Sequence, residues 1–285
     1  MFDDSVDYPI IFIHGFWGDL ESWAPAIEKI KDKDPQYKDY EMYYEGEHTI
    51  WNNYDARKCH KSIWNVSYYE SDQKIEIING NIEKYSRRLS LMIDIILRFT
   101  NYDKVVIIAH SMGGLVAKKY MTSSEENWDK VFKLLTVGTP HEGVHQALKI
   151  FDLMSDLKAG SKFLNELEKD WKSYTLKNPK QKKLGVIGAI DDTKSGNKRD
   201  DINSDDNAAA GCSLVRGLSP ILKFITISSA IPYDESKISI GNKLGKSTTE
   251  SKNFGFRLAV IGRHTELQSH EAIIRGLRWA LSKEY

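Results

Sequence analysis

Lys104-Val105-Val106-Ile107-Ile108-Ala109-His110-Ser111-Met112-Gly113-Gly114-Leu115-Val116-Ala117-Lys118-Lys119-Tyr120-Met121 is the stretch on which the fold turns. Its first part is an apolar, β-branched run of the kind buried on both faces of a parallel sheet. Its last part reads as a helix. Between them stands Ser111, with Ala109 and Gly113 two positions to either side. A strand that turns sharply into a helix leaves no room for large side chains at those two positions. Such an elbow lifts the serine hydroxyl above the sheet and aims the free N–H groups of the helix at the same point. Buried strands often end in small residues and serines often cap helices, so the stretch decides nothing until its neighbours are read.

Upstream, Pro9-Ile10-Ile11-Phe12-Ile13 is a strand-length apolar run followed at once by His14-Gly15-Phe16-Trp17-Gly18. Acyl transfer passes through a tetrahedral oxyanion that needs preorganised donors. The N–H of Met112, just after the serine, supplies one. A glycine-rich loop after an earlier strand supplies the other, here the N–H of Phe16, because glycine lets backbone come close to a ligand. Trp17, next in that loop, is expected to touch substrate. Downstream, Phe256-Arg257-Leu258-Ala259-Val260-Ile261-Gly262 reads as one more strand, and Arg263-His264-Thr265-Glu266-Leu267 follows it. A base on the loop after the last strand completes the chain order nucleophile, acid, histidine, and His264 stands there; His270 is its rival. The acid must fix the tautomer of that histidine. Between Asp191 and Asp206 the chain offers six aspartates.

With these parts in order the chain resembles the lipase and esterase branch of the α/β-hydrolase family, over roughly residues 8–285. The resemblance rests on His14-Gly15-Phe16-Trp17-Gly18, Ala109-His110-Ser111-Met112-Gly113-Gly114, Gly138-Thr139-Pro140-His141-Glu142-Gly143 and His264-Thr265-Glu266-Leu267. Ala109 in the elbow is similar to small bacterial lipases, and the Gly-Thr-Pro-His turn leads into the lid region of that family. Members often carry Asp-Gly-Val-Val with a serine seven residues after the aspartate. Asp206-Asn207-Ala208-Ala209 with Ser213 is similar, with alanines in place of the valines. The resemblance therefore implies Ser111 as nucleophile, His264 as base and Asp206 as first choice of acid, ahead of Asp205, with Asp234 and Asp191 remaining open. It implies hydrolysis of a carboxylic ester through an acyl-enzyme, on a small acyl ester or a lipid. A thioesterase, an amidase, an acyltransferase or a non-catalytic binding protein would use the same scaffold.

The whole chain agrees with this. Its 285 residues suit one α/β domain spanning 1–285, with 40 basic and 40 acidic side chains and a formal net charge of zero. No basic stripe invites nucleic acid, and no run approaches the length needed to cross a bilayer. Cys59 and Cys212 form neither a metal-ligand spacing nor a disulfide framework, and with no signal peptide in the chain as given, a cytoplasmic enzyme is expected. No oligomeric state is signalled. Strand-like runs at 8–13, 40–45, 63–69, 104–109, 131–137, 184–190, 222–228 and 256–262 alternate with helical patterns, strongest at 81–99 and 269–283. The expected fold is α/β: a mostly parallel sheet with helices on both faces and a small helical lid.

Two segments are expected to lie outside the sheet. Residues 46–62 are polar with aromatics. Residues 143–180 read as two short helices broken near Gly160-Ser161, the lid between the sixth and seventh strands. Leu148, Phe151 and Met154 are expected to line an acyl site there, and the lid offers a surface for transient membrane contact. Asp201-x-Asn203-x-Asp205 is similar to the start of a calcium loop, but lacks the glycine and the closing glutamate, so it reads as a solvated loop. The Pro140 turn favours a structural role for His141. Neither metal nor organic cofactor is called for.

Overall fold

A computed structural model of the chain describes residues 6–45, 48–52, 61–70, 76, 80–141, 143, 152–190, 254–261, 264–269 and 271–283. Among the described residues the sheet has eight strands: β1 (Ile10–Ile13), β2 (Lys38–Glu45), β3 (His48–Asn52), β4 (Ser62–Ser67), β5 (Val105–His110), β6 (Val131–Val137), β7 (Leu184–Ile190) and β8 (Phe254–Ile261). Their spatial order is β3-β2-β4-β1-β5-β6-β7-β8. Every pair is parallel except β2 with β3, which form an antiparallel edge. This edge corrects the expectation for 46–62: His48-Thr49-Ile50-Trp51-Asn52 is a strand. An edge strand needs no apolar run, because one side of it meets no partner strand among the described residues. The run at 222–228 lies outside the described residues.

Helices cover both faces. Ile10 and Phe12 of β1, with Val106 and Ile108 of β5, point into a core with α1 (Ala24–Lys33) and the C-terminal helix. Ile11, Ile13, Val105, Ile107 and Ala109 point the other way, against α2 (Ile82–Thr100) and α3 (Met112–Thr122). The alternation is the period-two pleat, and both sets are buried because both faces are covered. The N-terminus of α2 is capped by Asn81, whose side chain accepts from Lys84 N–H at 2.7 Å, and the helix ends at Asn101 in a left-handed conformation. α4 (Glu125–Lys130) follows α3.

The 143–180 segment contains α5 (Asp152–Leu157) and α6 (Lys162–Lys177). They are parted, as expected, at Gly160, which has a positive φ of 72°, and at Ser161, which caps α6. α6 is firmly seated. Its Leu164, Leu167 and Trp171 join the core beside α3, and Trp128 of α4 contacts Trp171 and Tyr174 at ring distances of 5.1 Å. Lys118 of α3 is buried, lies 3.2 Å from Glu168 and sits over the Trp171 ring. The chain closes with α7 (Ala272–Leu281). A fully buried lysine, Lys133 of β6, donates to the Trp279 carbonyl, the Ser282 carbonyl and the Ser282 hydroxyl at 2.8–2.9 Å. It thereby places a cation on the C-terminal carbonyls of α7, where the helix dipole favours one.

Candidate active site

The connection after β1 runs to one face of the sheet (α1) and that after β5 to the other (α3), while β1 and β5 are neighbours. At such a switch point the two loops diverge and leave a crevice at the carboxyl ends of the strands. His14-Gly15-Phe16-Trp17 and Ser111-Met112 both stand there.

Ser111 has φ 51° and ψ −126°, a conformation that L residues with a side chain rarely adopt. It persists because its surroundings determine it: Ser111 N–H donates to the Val137 carbonyl at 2.8 Å, and Gly114 N–H donates to the Ser111 carbonyl at 3.1 Å. Strain of this kind gathers at functional sites. Ser111 stands at the N-cap of α3, yet its hydroxyl caps none of the helix amides, so it is not occupied as an ordinary cap would be.

The loops interlock. A Cβ on Gly15 would lie 2.8 Å from the Ser111 Cβ and 3.0 Å from the His110 ring, and a Cβ on Gly113 would strike the His14 carbonyl oxygen. The Gly15 carbonyl accepts from His14 Nδ1–H at 2.8 Å and from Gly18 N–H at 3.1 Å. Because the peptide is planar and trans, fixing that carbonyl turns the Phe16 N–H of the same peptide the opposite way. Among the described residues neither Phe16 N–H nor Met112 N–H donates to a backbone carbonyl. Trp17 has φ 57°, a strained residue in this loop to match Ser111 in the elbow, and its indole N–H is buried without a partner among the described residues.

β4, the neighbour of β1 in the sheet, braces the loop. His14 Nε2 accepts from the Ser67 hydroxyl at 3.0 Å, and the Tyr68 hydroxyl donates to the His14 carbonyl at 3.1 Å with its ring stacked 4.4 Å from the imidazole. Arg88 of α2 donates to the Tyr68 carbonyl at 2.9 Å and pairs with buried Glu76 at 2.7 and 3.2 Å. None of Ser67, Tyr68, Tyr69, Arg88 and Glu76 was marked by the motifs. The only hint is an aromatic pair at the end of a strand-like run.

Burial pushes His14 down to about 4, against the Gly15 bond and the Asp19 charge, so the ring is neutral at pH 7. The sign follows: between pH 6.5 and 4 an unfolded His14 takes up a proton and the folded one does not, so acid favours unfolding. From His14 alone the expected loss across that window is about 3 kcal/mol. His141 is also held well below the ordinary histidine value, by burial and then by Lys118, and acts in the same direction. Urea melts at descending pH measure the slope. His14→Asn is expected to flatten it, and an unchanged slope would contradict the assignment. His141 Nε2 lies 3.0 Å from the Thr136 hydroxyl, whose proton goes to the Gly185 carbonyl, so Nε2 carries the ring proton.

Of the other expected residues, His264 begins a 3-10 turn, His264–Ser269, directly beyond β8. That turn lies against α1 and the 3-10 turn Leu20–Trp23, and Lys29 of α1 donates to the Ser269 carbonyl at 2.5 Å. It is therefore at the same end of the sheet as Ser111. The α5 backbone includes Met154. Asp206, Asp205, Asp234, Asp191, Leu148, Phe151 and His270 lie outside the described residues. Among the described residues no group of three or more His, Cys, Asp or Glu is placed to hold a metal ion, and no helix is long and apolar enough to cross a membrane.

The family model described as PGAP1-like alpha/beta domain matches residues 5–239. A curated relative, GPI inositol-deacylase of Candida albicans, is 25% identical over 138 residues, which are 47% of this chain and 31% of that protein. The chain thus spans about a third of that relative's length. The crystal structure of the lin2722 gene product of Listeria innocua superposes with a TM-score of 0.57 at 15% identity, covering 98% of this chain and 95% of the other. An α/β-hydrolase enzyme from a Moroccan lagoon-sediment metagenome aligns over 95% of this chain and 88% of its own, at 12% identity and a TM-score of 0.38.

Proposed function

The chain belongs to the PGAP1-like alpha/beta domain family and is an α/β-hydrolase, and from that premise we propose that it cleaves carboxylic esters with Ser111 as nucleophile. The observation that carries the reading is the Ser111 backbone, held at φ 51° with the Gly15 loop packed on its Cβ position.

The Ser111 oxygen attacks the ester carbonyl while His264 removes its proton. The Phe16 and Met112 amides donate to the oxygen that becomes negative. Collapse expels the alcohol, which takes the proton from His264, and water activated by the same histidine then frees the acid. An aspartate orients His264 and stabilises its cation, with Asp206 the first to test and Asp205, Asp234 and Asp191 after it. Trp17, Leu148, Phe151 and Met154 are assigned to the acyl side. No step requires a metal or organic cofactor.

The relative's name supports a narrower substrate. A deacylase of inositol removes an acyl group from a polyol oxygen, and the ester chemistry above performs that cleavage. Acylated inositol is therefore the first physiological class to assay, and a lipid acyl group makes transient contact of the 143–180 segment with a membrane surface part of the same reading. A fluorophosphonate probe is expected to label wild-type protein at Ser111. A panel of p-nitrophenyl esters, acyl thioesters and acylated inositol then ranks the leaving groups. Absence of labelling would favour a binding protein on this scaffold, and a preference for thioesters would replace the ester assignment.

A further inference from the structure

His14 is fully buried, and its ring lies against Tyr68 and Tyr69 at centroid distances of 4.4 and 4.7 Å. An apolar side chain would fill that place without the cost of desolvating two ring nitrogens. What only the imidazole offers is a pair of hydrogen bonds of fixed direction, one to its own loop and one to β4. Nδ1 lies 2.8 Å from the Gly15 carbonyl, which can only accept, so Nδ1 carries the proton. Nε2 of the neutral ring is then an acceptor, and the Ser67 hydroxyl 3.0 Å away donates to it. The Ser67 oxygen in turn accepts from Tyr69 N–H at 3.4 Å, which leaves the hydroxyl proton to the ring. Every bond in this row donates the same way: Tyr69 N–H to Ser67, Ser67 to His14, His14 to the Gly15 carbonyl.

The row ends on the peptide whose other end is the Phe16 N–H. A planar peptide turns as one piece, so whatever holds the carbonyl also holds the amide. Hydrogen bonds accepted by a carbonyl draw charge from the amide nitrogen behind it, and successive bonds of one polarity strengthen one another. The row therefore sets both the direction and the strength of the Phe16 donor. We propose that Ser67 is a positioning residue for the oxyanion hole, acting through His14 on the Gly15–Phe16 peptide. The inference rests on the Ser111 reading. Ser67 touches no substrate in this role: it ends β4, which pairs with the edge of β1 away from β5 and the serine elbow.

Ser67→Ala tests it, beside Ser67→Thr, which keeps the hydroxyl. With the p-nitrophenyl ester that the wild type prefers, kcat of Ser67→Ala is expected to fall about 10–100-fold with KM within about 3-fold, the pattern of a transition-state donor turned out of line. The Ki of a trifluoromethyl ketone, which forms a tetrahedral adduct on Ser111, is expected to rise in parallel with the loss of kcat/KM. Ser67→Thr is expected to recover most of the lost kcat. Nitrogen NMR of histidine-labelled wild type is expected to show His14 neutral with its proton on Nδ1. A proton on Nε2 instead would overturn the proposal, and that measurement needs no variant at Ser67. An unchanged kcat in Ser67→Ala, a rise in KM alone, or an equal loss in Ser67→Ala and Ser67→Thr would overturn it as well. Failure of the Ser111 reading looks different: the wild type itself then neither labels nor turns over, while the His14 tautomer stays as described.

Discussion

Ser111→Ala is expected to lower ester hydrolysis by on the order of 10⁴–10⁶-fold in kcat and to abolish fluorophosphonate labelling. The variant keeps the donor amides, so a small excess over the uncatalysed rate remains. His264→Ala is expected to cost a similar factor, and the double variant little more than either alone, because nucleophile and base act as one unit. A melting measurement separates this from unfolding. Alanine at φ 51° is as strained as serine, so Ser111→Ala should melt with the wild type. Ser111→Gly removes the strain and is expected to gain about 1–2 kcal/mol while remaining inactive. Retained activity in Ser111→Ala, or a glycine variant less stable than wild type, would remove the elbow from the mechanism.

Arg88→Met is expected to destabilise the fold by about 3–5 kcal/mol, the typical effect of leaving one partner of a buried ion pair uncompensated. Glu76 is 2% exposed and Arg88 5% exposed, so neither charge can turn to water without local unfolding. Arg88 also lies 4.1 Å from the Tyr44 ring centre and has Glu70 at 3.0 Å, and Glu76 has Lys84 at 3.5 Å. Arg88→Met with Glu76→Leu together should recover a good part of the loss, since an apolar pair removes the stranded charge. Urea melts of the four proteins form the cycle; a double variant no better than the singles would show that the carboxylate is not the issue. Activity should fall in the single variant as well. The Tyr68 carbonyl loses its donor there, and Tyr68 is what grips the His14 carbonyl one residue before the Gly15–Phe16 peptide.

What the sequence disclosed and what it withheld follow burial. β1 and β5 are covered on both faces, so the runs Ile10–Ile13 and Val105–Ala109 are apolar throughout and could be read without partners. β3 is the edge strand among the described residues, and its polar letters read as loop. Lys133 interrupts the apolar run of β6, and only the placement of α7 shows that its ammonium has three oxygens to meet. Ser111, Met112, Phe16 and His264 sit in local patterns that the proposed chemistry demands, and these patterns are visible in one dimension. The brace behind Phe16 is of another kind. Ser67, Tyr68 and Tyr69 matter because β4 lies next to β1, some 50 residues away in the chain, and adjacency in a sheet is not written in spacing. Asp206 and its rivals share one crowded acidic stretch, where local pattern offers several equivalent answers.

The interlocked glycines carry a consequence for evolution and for engineering. Gly15, Gly113 and Gly114 belong to two distant stretches, and an added methyl on them would meet, in turn, the elbow, the His14 carbonyl and the Thr139 side chain. A substitution at any one is blocked by backbone or packed atoms belonging to another loop. These positions should therefore drift together or not at all, as correlated columns among related sequences. A mutational library that varies the Phe16 loop alone would sample almost only inactive proteins. Libraries that recombine the Gly15, Gly113 and Thr139 segments as one block are where altered acyl selectivity should emerge.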